Sequence, residues 1–390
     1  MMKKYKSFSI YFMIAFLFDY SFIYSQDDFE KFLKQQTTDF EDMATAEVKE
    51  LAAISKEFDA YTAEQERLYQ NFKDEVEKKW DEFRFSTNKT YVDYDDDLSA
   101  RASIDFDKGE MEVEVIVEEK KGVSKAELEK VAKDKLEKKI EKIITKPAED
   151  KIAILADQVA DSNGKKVTTK NAKSFSKEIV KIKKPVQQSF KSKDSVKRTK
   201  YTVKIKLLPN HLKTRADRYK DDVIREAHRH NLPPSLAFAV MHTESSFNPK
   251  ARSHIPAYGL MQLVPKSGAR DAYQYLYKKD KFVSGRYLYK PQNNIELGCA
   301  YLGKLRNVYF KGVTDDDRAY PCVISAYNTG PGNVARTFTG GTKLKPTIKK
   351  INEMSSGKVY LKLKSDLPHK ETRDYLSRVT DRMAYYNSYN

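Results

Sequence analysis

Ser235–Pro249 reads SLAFAVMHTESSFNP, and the rest of the chain is best understood from this stretch outward. Leu236, Ala237, Phe238, Ala239, Val240 and Met241 are apolar without a polar break, the signature of a helix buried on all sides rather than of an amphipathic surface helix. Asn231-Leu232-Pro233-Pro234 precedes it, and Ser235 is the residue type expected at the N-cap. The apolar run ends on Glu244, so a carboxyl group closes a buried helix. Burial disfavours the charged form of a carboxyl, and the partial negative charge at a helix C-terminus acts the same way. Such a Glu can hold its proton near neutral pH and serve as a general acid. The plain alternative is a Glu that faces solvent at a helix end.

Two further segments bear on that choice: Tyr258-Gly259-Leu260-Met261-Gln262, some fifteen residues on, and Ser325-Ala326-Tyr327-Asn328-Thr329-Gly330-Pro331-Gly332. The order ESSFNP, GLMQ, AYN-x-G-x-G resembles the catalytic domain of the family 1 lytic murein transglycosylases, which share the goose-lysozyme fold. Glu371-Thr372-Arg373-Asp374-Tyr375-Leu376-Ser377-Arg378-Val379 is similar to that family's last motif. Upstream, YVDYDDDLSARASIDFDKGEMEVEV and the junction Leu-Pro-Asn-His-Leu-Lys-Thr-Arg-Ala resemble the membrane-bound C branch of the family. The resemblance implies an α+β chain: a small N-terminal α+β domain, then a mainly helical, lysozyme-like catalytic domain.

It also implies a reaction. Such enzymes cut the β-1,4 bond between N-acetylmuramic acid and N-acetylglucosamine without water and leave a 1,6-anhydro end. Ordinary glycosidases place two carboxyl groups about the bond, yet Ser245 to Arg270 contains neither Asp nor Glu. Glu244 would therefore act first as acid and then as base, unless Asp271, Asp280 or Glu296 folds into the site. The family pattern assigns Ser253, Gln262, Tyr327, Asn328 and Tyr375 to substrate binding. Tyr327 would aim its hydroxyl at Glu244 or at the sugar acetamido group, and Asn328 would hold the loop or a sugar. Gly259 would permit close backbone approach, or serve as a plain turn residue. Tyr273, Tyr275, Tyr277, Tyr287 and Tyr289 read mainly as packing. The alternatives are a hydrolytic muramidase on the same fold and a peptidoglycan-binding protein without catalysis.

The chain has 390 residues, 72 Lys plus Arg against 56 Asp plus Glu, and a net charge of +16. Roughly 31 basic and 16 acidic residues lie from Asn210 onward, so nearly all the excess belongs to the C-terminal half. This suits an anionic polymer, here the glycan strands of peptidoglycan with their lactyl and stem carboxylates, and not nucleic acid. A monomer with peripheral outer-membrane or cell-wall-machinery association is expected. The histidines do not form a metal motif: His228 and His230 point to opposite sides of a helix, and no HExxH occurs. No metal and no cofactor are called for. Cys299 and Cys322 are read as buried thiols, with a disulfide as the alternative.

Met-Met-Lys-Lys-Tyr-Lys followed by Ser9–Phe18 (SIYFMIAFLF) has the form of a signal peptide cut near Ser25–Gln26, and no cysteine nearby offers a lipid attachment atom. The expected organisation is a signal peptide over 1–25, an N-terminal α+β domain over 26–205 and the catalytic domain over 206–390, with the mature protein in the periplasm. Within the middle part, Leu51, Ile54, Phe58, Tyr61, Leu68, Phe72, Val76 and Trp80 have helical spacing. Ala102, Ile104, Phe106 and Met111, Val113, Val115, Val117 alternate about Asp107-Lys108-Gly109 as a β-hairpin with one wet face. Lys125–Lys146 reads as a helix stopped by Pro147, and Thr199–Leu208 as a last strand. The segment between about Asp161 and Lys200 is Lys/Ser/Thr-rich. The sequon Asn88-Lys89-Thr90 is taken as chance, and no chemical motif is assigned to this domain.

Overall fold

The hairpin forms where the alternation places it. In the computed structural model, which describes residues 53, 56–253 and 257–390, strand β2 (Ala100–Asp105) pairs antiparallel with β3 (Glu110–Glu118), Ala102 opposite Val113 and Ile104 opposite Met111. Asp105 Oδ1 accepts from the backbone N–H groups of Asp107 and Lys108 to close the turn. Gly109 completes it at φ +67°, and a Cβ there would meet the His211 ring at 2.5 Å, so the turn is seated against the start of the helical half. The chain divides into two units, Met1–Ala60 and Tyr61–Asn390. Of the first, the described residues are helical. The signal-peptide reading and the spacing at Leu51 and Ile54 fall outside the described residues.

Strands β1 (Thr90–Tyr94), β4 (Val186–Lys191) and β5 (Lys197–Lys206) complete a five-stranded antiparallel sheet in the order β1-β2-β3-β5-β4. One face is covered by the helices Lys125–Thr145 and Ala172–Ile182, which bury Leu136, Ile140, Ile143, Phe175 and Val180 against Ile104, Met111, Val113, Val203 and Ile205. The first of these helices starts with a capping box between Ser124 and Glu127 and ends before Pro147, as its sequence predicts. The helix Ala172–Ile182 and strand β4 lie in the Lys/Ser/Thr-rich segment, to which the sequence assigned no element; its lysine-rich composition hid the apolar stripe Phe175, Ile179, Val180.

The second face is not wet. The helix running through 61–79 and the segment to Phe85 lie over it, with Val76, Trp80 and Ile116 buried together. Beneath this cover sit cross-strand charges: Arg101 Nε donates to Glu114 at 2.6 Å, Arg84 reaches the same carboxylate at 3.1 Å, and Trp80 stacks 4.2 Å from the Arg101 guanidinium. The alternation was read correctly, but paired charge can be buried where unpaired charge cannot.

From His211 onward the fold is helical. The stretch leading to the central helix forms two short helices, His211–Arg218 and Lys220–Arg229. Pro234–Ser245 is the central helix, and Leu236 to Met241 are wholly buried in it. Its N-cap is Pro233, not Ser235, and the Ser235 N–H is satisfied instead by the side chain of Asn390 at 2.8 Å. The helices Pro291–Lys304, Asp316–Thr329, Pro331–Thr339, Leu344–Asn352, Ser356–Asp366 and Lys370–Tyr385 build the rest, and Phe310, Val323, Leu363 and Leu376 share the core with the central helix. Cys299 and Cys322 are free, buried thiols, with burial pushing both thiol pKa values well up. Among the described residues, no helix is long and apolar enough to cross a membrane, and no group of His, Cys, Asp and Glu could hold a metal ion.

Candidate active site

Glu244 occupies the last turn of Pro234–Ser245, which ends through Ser246 in the left-handed region at φ 49°. Phe247 follows at φ 60° and Gln262 lies at φ 47°. Side chains at positive φ are strained and persist only where the surroundings fix them. Here they are fixed: the buried Arg215 donates to Ser246 O at 3.0 Å and to Phe106 O at 2.6 Å, and Ser246 Oγ donates to Asp107 at 2.6 Å. The hairpin turn of the sheet domain thus holds the end of the central helix.

The Glu244 carboxyl has no salt-bridge partner among the described residues. Burial raises its pKa to about 7; the Tyr375 hydroxyl and the Arg378 and Lys89 charges pull it down, while Glu371 pushes it up. Tyr375 is itself buried, and its hydroxyl acts on the Glu244 carboxyl without closing a hydrogen bond of normal geometry. Burial also pushes the phenols of Tyr375 and Tyr327 well above their ordinary value, and the Glu244 charge adds to both. Glu244, Tyr327 and Tyr375 are therefore one electrostatic cluster.

The other candidates are tied in by backbone. Ser245 Oγ, wholly buried, donates to Leu260 O at 2.7 Å and so fastens the GLMQ loop one residue from Glu244. Gly259 at φ +74° leaves space that a Cβ would contest with Asn294 Nδ2 and Leu288 O, both at 2.5 Å. Close approach is thus its role. Gln262 folds its amide back to Gly259 O at 3.1 Å. Tyr327 does not aim its proton at Glu244: the hydroxyl donates to Met261 O at 2.7 Å, because that backbone acceptor is within reach and otherwise unpaired. Asn328 accepts from Thr372 Oγ1 at 2.7 Å and joins the third motif to the last. Ser253 accepts from the Ala257 N–H at 3.0 Å, next to the undescribed 254–256. Tyr273, Tyr275, Tyr287 and Tyr289 pack against a second apolar cluster around Tyr258 and Leu288.

Three supporting residues escaped the sequence reading. Asn294, wholly buried, accepts from Met261 N–H at 2.8 Å and donates to Tyr258 O and Leu288 O, shaping the GLMQ loop. Arg215, quoted only as part of the junction segment, was given no role there. Asn88, part of the dismissed sequon, donates to Glu244 O at 2.9 Å. Arg215 sits in the junction segment and Asn88 in the sequon, but neither segment points to the role seen; Asn294 and Arg215 are buried polar side chains, which sequence does not mark as buried.

Residues 221–348 match the Transglycosylase SLT domain, and residues 49–218 match the N-terminal domain of membrane-bound lytic murein transglycosylase C. Fold and site thus define a lytic transglycosylase. Membrane-bound lytic murein transglycosylase C of Klebsiella pneumoniae is 33% identical over 326 residues, covering 82% of this chain and 88% of the relative. The Cronobacter sakazakii protein of the same name is 33% identical over 325 residues, with the same coverage of both chains. The chain belongs to the membrane-bound lytic murein transglycosylase C family. Among solved structures, an inactive mutant of the lytic transglycosylase Slt from Pseudomonas aeruginosa is 28% identical over 44% of this chain and 24% of its own, with a TM-score of 0.34, too low to carry a fold assignment.

Proposed function

We propose that the chain cleaves the β-1,4 bond between N-acetylmuramic acid and N-acetylglucosamine in peptidoglycan, with Glu244 as acid and then base, to leave a 1,6-anhydromuramic end. The observation that carries this is the Glu244 carboxyl, without a salt-bridge partner among the described residues and raised to about 7, poised to hold a proton at neutral pH and to release it. Glu244 protonates the glycosidic oxygen as the C1–O bond breaks. The sugar's 2-acetamido oxygen shields C1 in the interval. The Glu244 carboxylate then takes the proton of the 6-hydroxyl as O6 closes on C1, which returns the acid to its starting form. Ser253, Gln262, Tyr327, Asn328 and Tyr375 line and order the sugar site. The Tyr375 hydroxyl, buried and unpaired, has a proton to donate to a substrate oxygen.

The other acidic candidates support a one-carboxyl route. Asp271 is held by Lys304 at 3.3 Å, Asp280 by Arg270, and Glu296 by Arg229 at 3.3 Å and Tyr277 at 2.8 Å. The envelope fits this substrate, in keeping with relatives named as membrane-bound, and the signal peptide over 1–25, the sheet domain to 205 and the catalytic domain from 206 remain our division of the chain. The test is to digest purified sacculi and weigh the muropeptides. Products lighter by one water than reducing ends are expected; reducing ends would mean a hydrolase. Glu244→Gln should lower the rate by roughly 10²- to 10⁴-fold with the fold intact.

A further inference from the structure

The last carbonyls of a helix have no partner within it, and a buried helix end must find donors elsewhere. Pro234–Ser245 ends inside the protein; one donor there, Arg215, belongs to the helical half and bridges to the sheet domain, and another comes from the sheet domain itself. Arg215 reaches Ser246 O only as part of a bridge to the hairpin turn, through Phe106 O. Glu244 O takes its hydrogen bond from the Asn88 side chain at 2.9 Å. Asn88 precedes strand β1 in a turn that is itself rigid: Thr87 N–H donates to Thr90 O at 2.8 Å, and Thr87 Oγ1 accepts from the N–H groups of Lys89 and Thr90 at 3.3 and 3.0 Å.

The bond is reciprocated. Asn248 of the ESSFNP motif, wholly buried, donates from Nδ2 to Asn88 O at 3.2 Å, and Arg252 N–H donates to Thr87 O at 3.4 Å. Lys89 O accepts from Phe106 N–H at 3.0 Å, and Lys89 Nζ meets Asp107 at 2.9 Å on the same carboxylate oxygen that accepts from Ser246 Oγ. The turn and the helix end thus close a ring of hydrogen bonds through the sheet. Within that ring, Asn88 alone bonds to the acid residue itself.

We propose that Asn88, supplied by the sheet domain, is a positioning residue for Glu244: its amide caps the carbonyl of the acid residue and so fixes the backbone from which the carboxyl projects. The inference rests on the reading of Glu244 as the acid. It gives the N-terminal domain a part in the chemistry, since the helical half by itself leaves Glu244 O without this donor. It also gives the sequon a physical meaning, because the amide nitrogen a glycan would need is already committed.

The test uses the full chain and soluble, uncross-linked glycan strands as substrate. Asn88→Ala should lower kcat by roughly ten- to a hundredfold, the scale of a small misplacement of a reacting group, with KM changed less than about twofold. Because the gap admits water beside the carboxyl, the high-pH limb of kcat should also move acidward, with the Lys89, Glu371, Arg378, Tyr375 and Tyr327 groups around it unchanged. Asn88→Asp, the same shape with an acceptor facing the carbonyl, should lose more. Asn88→Ser keeps a short donor, should lose less than Asn88→Ala, and stands in if the alanine variant does not fold. A domain-gluing role alone would lower the melting temperature and leave kcat and its pH limb as in the wild type; that result in a folded Asn88 variant overturns the proposal. Glu244→Gln run alongside separates the two readings: if it keeps full activity, the assignment of the acid has failed, not the role of Asn88.

Discussion

Glu114 is wholly buried in the sheet and Glu244 partly buried at the end of the central helix, and they are treated in opposite ways. Glu114 is 1% exposed and shared between Arg101 and Arg84, with Trp80 stacked on the first guanidinium. Glu244 has no cation within salt-bridge distance among the described residues, and its proton affinity rises as a result. A buried charge needs a partner, and where the partner is withheld the group keeps its proton instead. The sheet carboxylate is built to stay charged, whereas the helix carboxyl is built to exchange a proton near neutrality.

Breaking the paired site should have the largest effect on stability. Arg101→Ala removes the 2.6 Å bond to Glu114 and the stack on Trp80 and leaves a carboxylate under the 61–85 cover with Arg84 alone. A loss of about 3–5 kcal/mol is expected from urea denaturation, the range found when one partner of a buried pair is deleted. A loss under 1 kcal/mol would show that water reaches this face, as the alternating sequence first suggested.

Neutralising the unpaired site should do the reverse. The folded pKa of Glu244, about 7, lies above the ordinary 4.5. Between those values the unfolded chain has released the proton while the folded chain retains it, so this group's contribution to stability falls as pH rises through the window and is fully lost above about 7. Glu244→Gln has no such loss. It should match the wild type near pH 4 and exceed it by on the order of 1–3 kcal/mol at pH 8. Equal stability of the two at both pH values would mean the carboxyl is solvated and its pKa ordinary.

The same contrast explains what was legible in the sequence. Periodicity gave the hairpin, the capped helix Lys125–Thr145 and the buried central helix, because each follows from side-chain spacing. Four short motifs pointed to Glu244, Gln262, Tyr327 and Tyr375, and the fold brings Glu244, Tyr327 and Tyr375 into one electrostatic cluster. The buried charges of the sheet were misread as a wet face, since Glu112 and Glu114 look the same in sequence whether water or arginine meets them. Asn88, Arg215 and Asn294 act over separations of 156, 31 and 33 residues. An Asn or Arg at such a distance from its partner carries no local signal, and only the fold brings it to bear.

The smallest and most discriminating effects should come from the two tyrosines beside Glu244, which differ in what their hydroxyls do. Tyr327 spends its proton on Met261 O at 2.7 Å and ties the helix Asp316–Thr329 to the GLMQ loop. Tyr327→Phe leaves that carbonyl without its donor and should cost about 1 kcal/mol of stability. The Tyr375 hydroxyl is buried with no completed hydrogen bond, so Tyr375→Phe removes an unsatisfied polar group and should leave stability unchanged or slightly higher. Activity should divide the other way. Tyr375→Phe deletes a hydroxyl that acts on Glu244, and it should lower kcat while raising the pH of the limb governed by Glu244, because the pull that lowers the carboxyl's pKa is gone. Paired denaturation curves and pH–rate profiles of the two Phe variants check both halves. Equal stability losses would mean the Tyr375 hydroxyl is bonded after all, and an unshifted limb would remove it from the acid's surroundings.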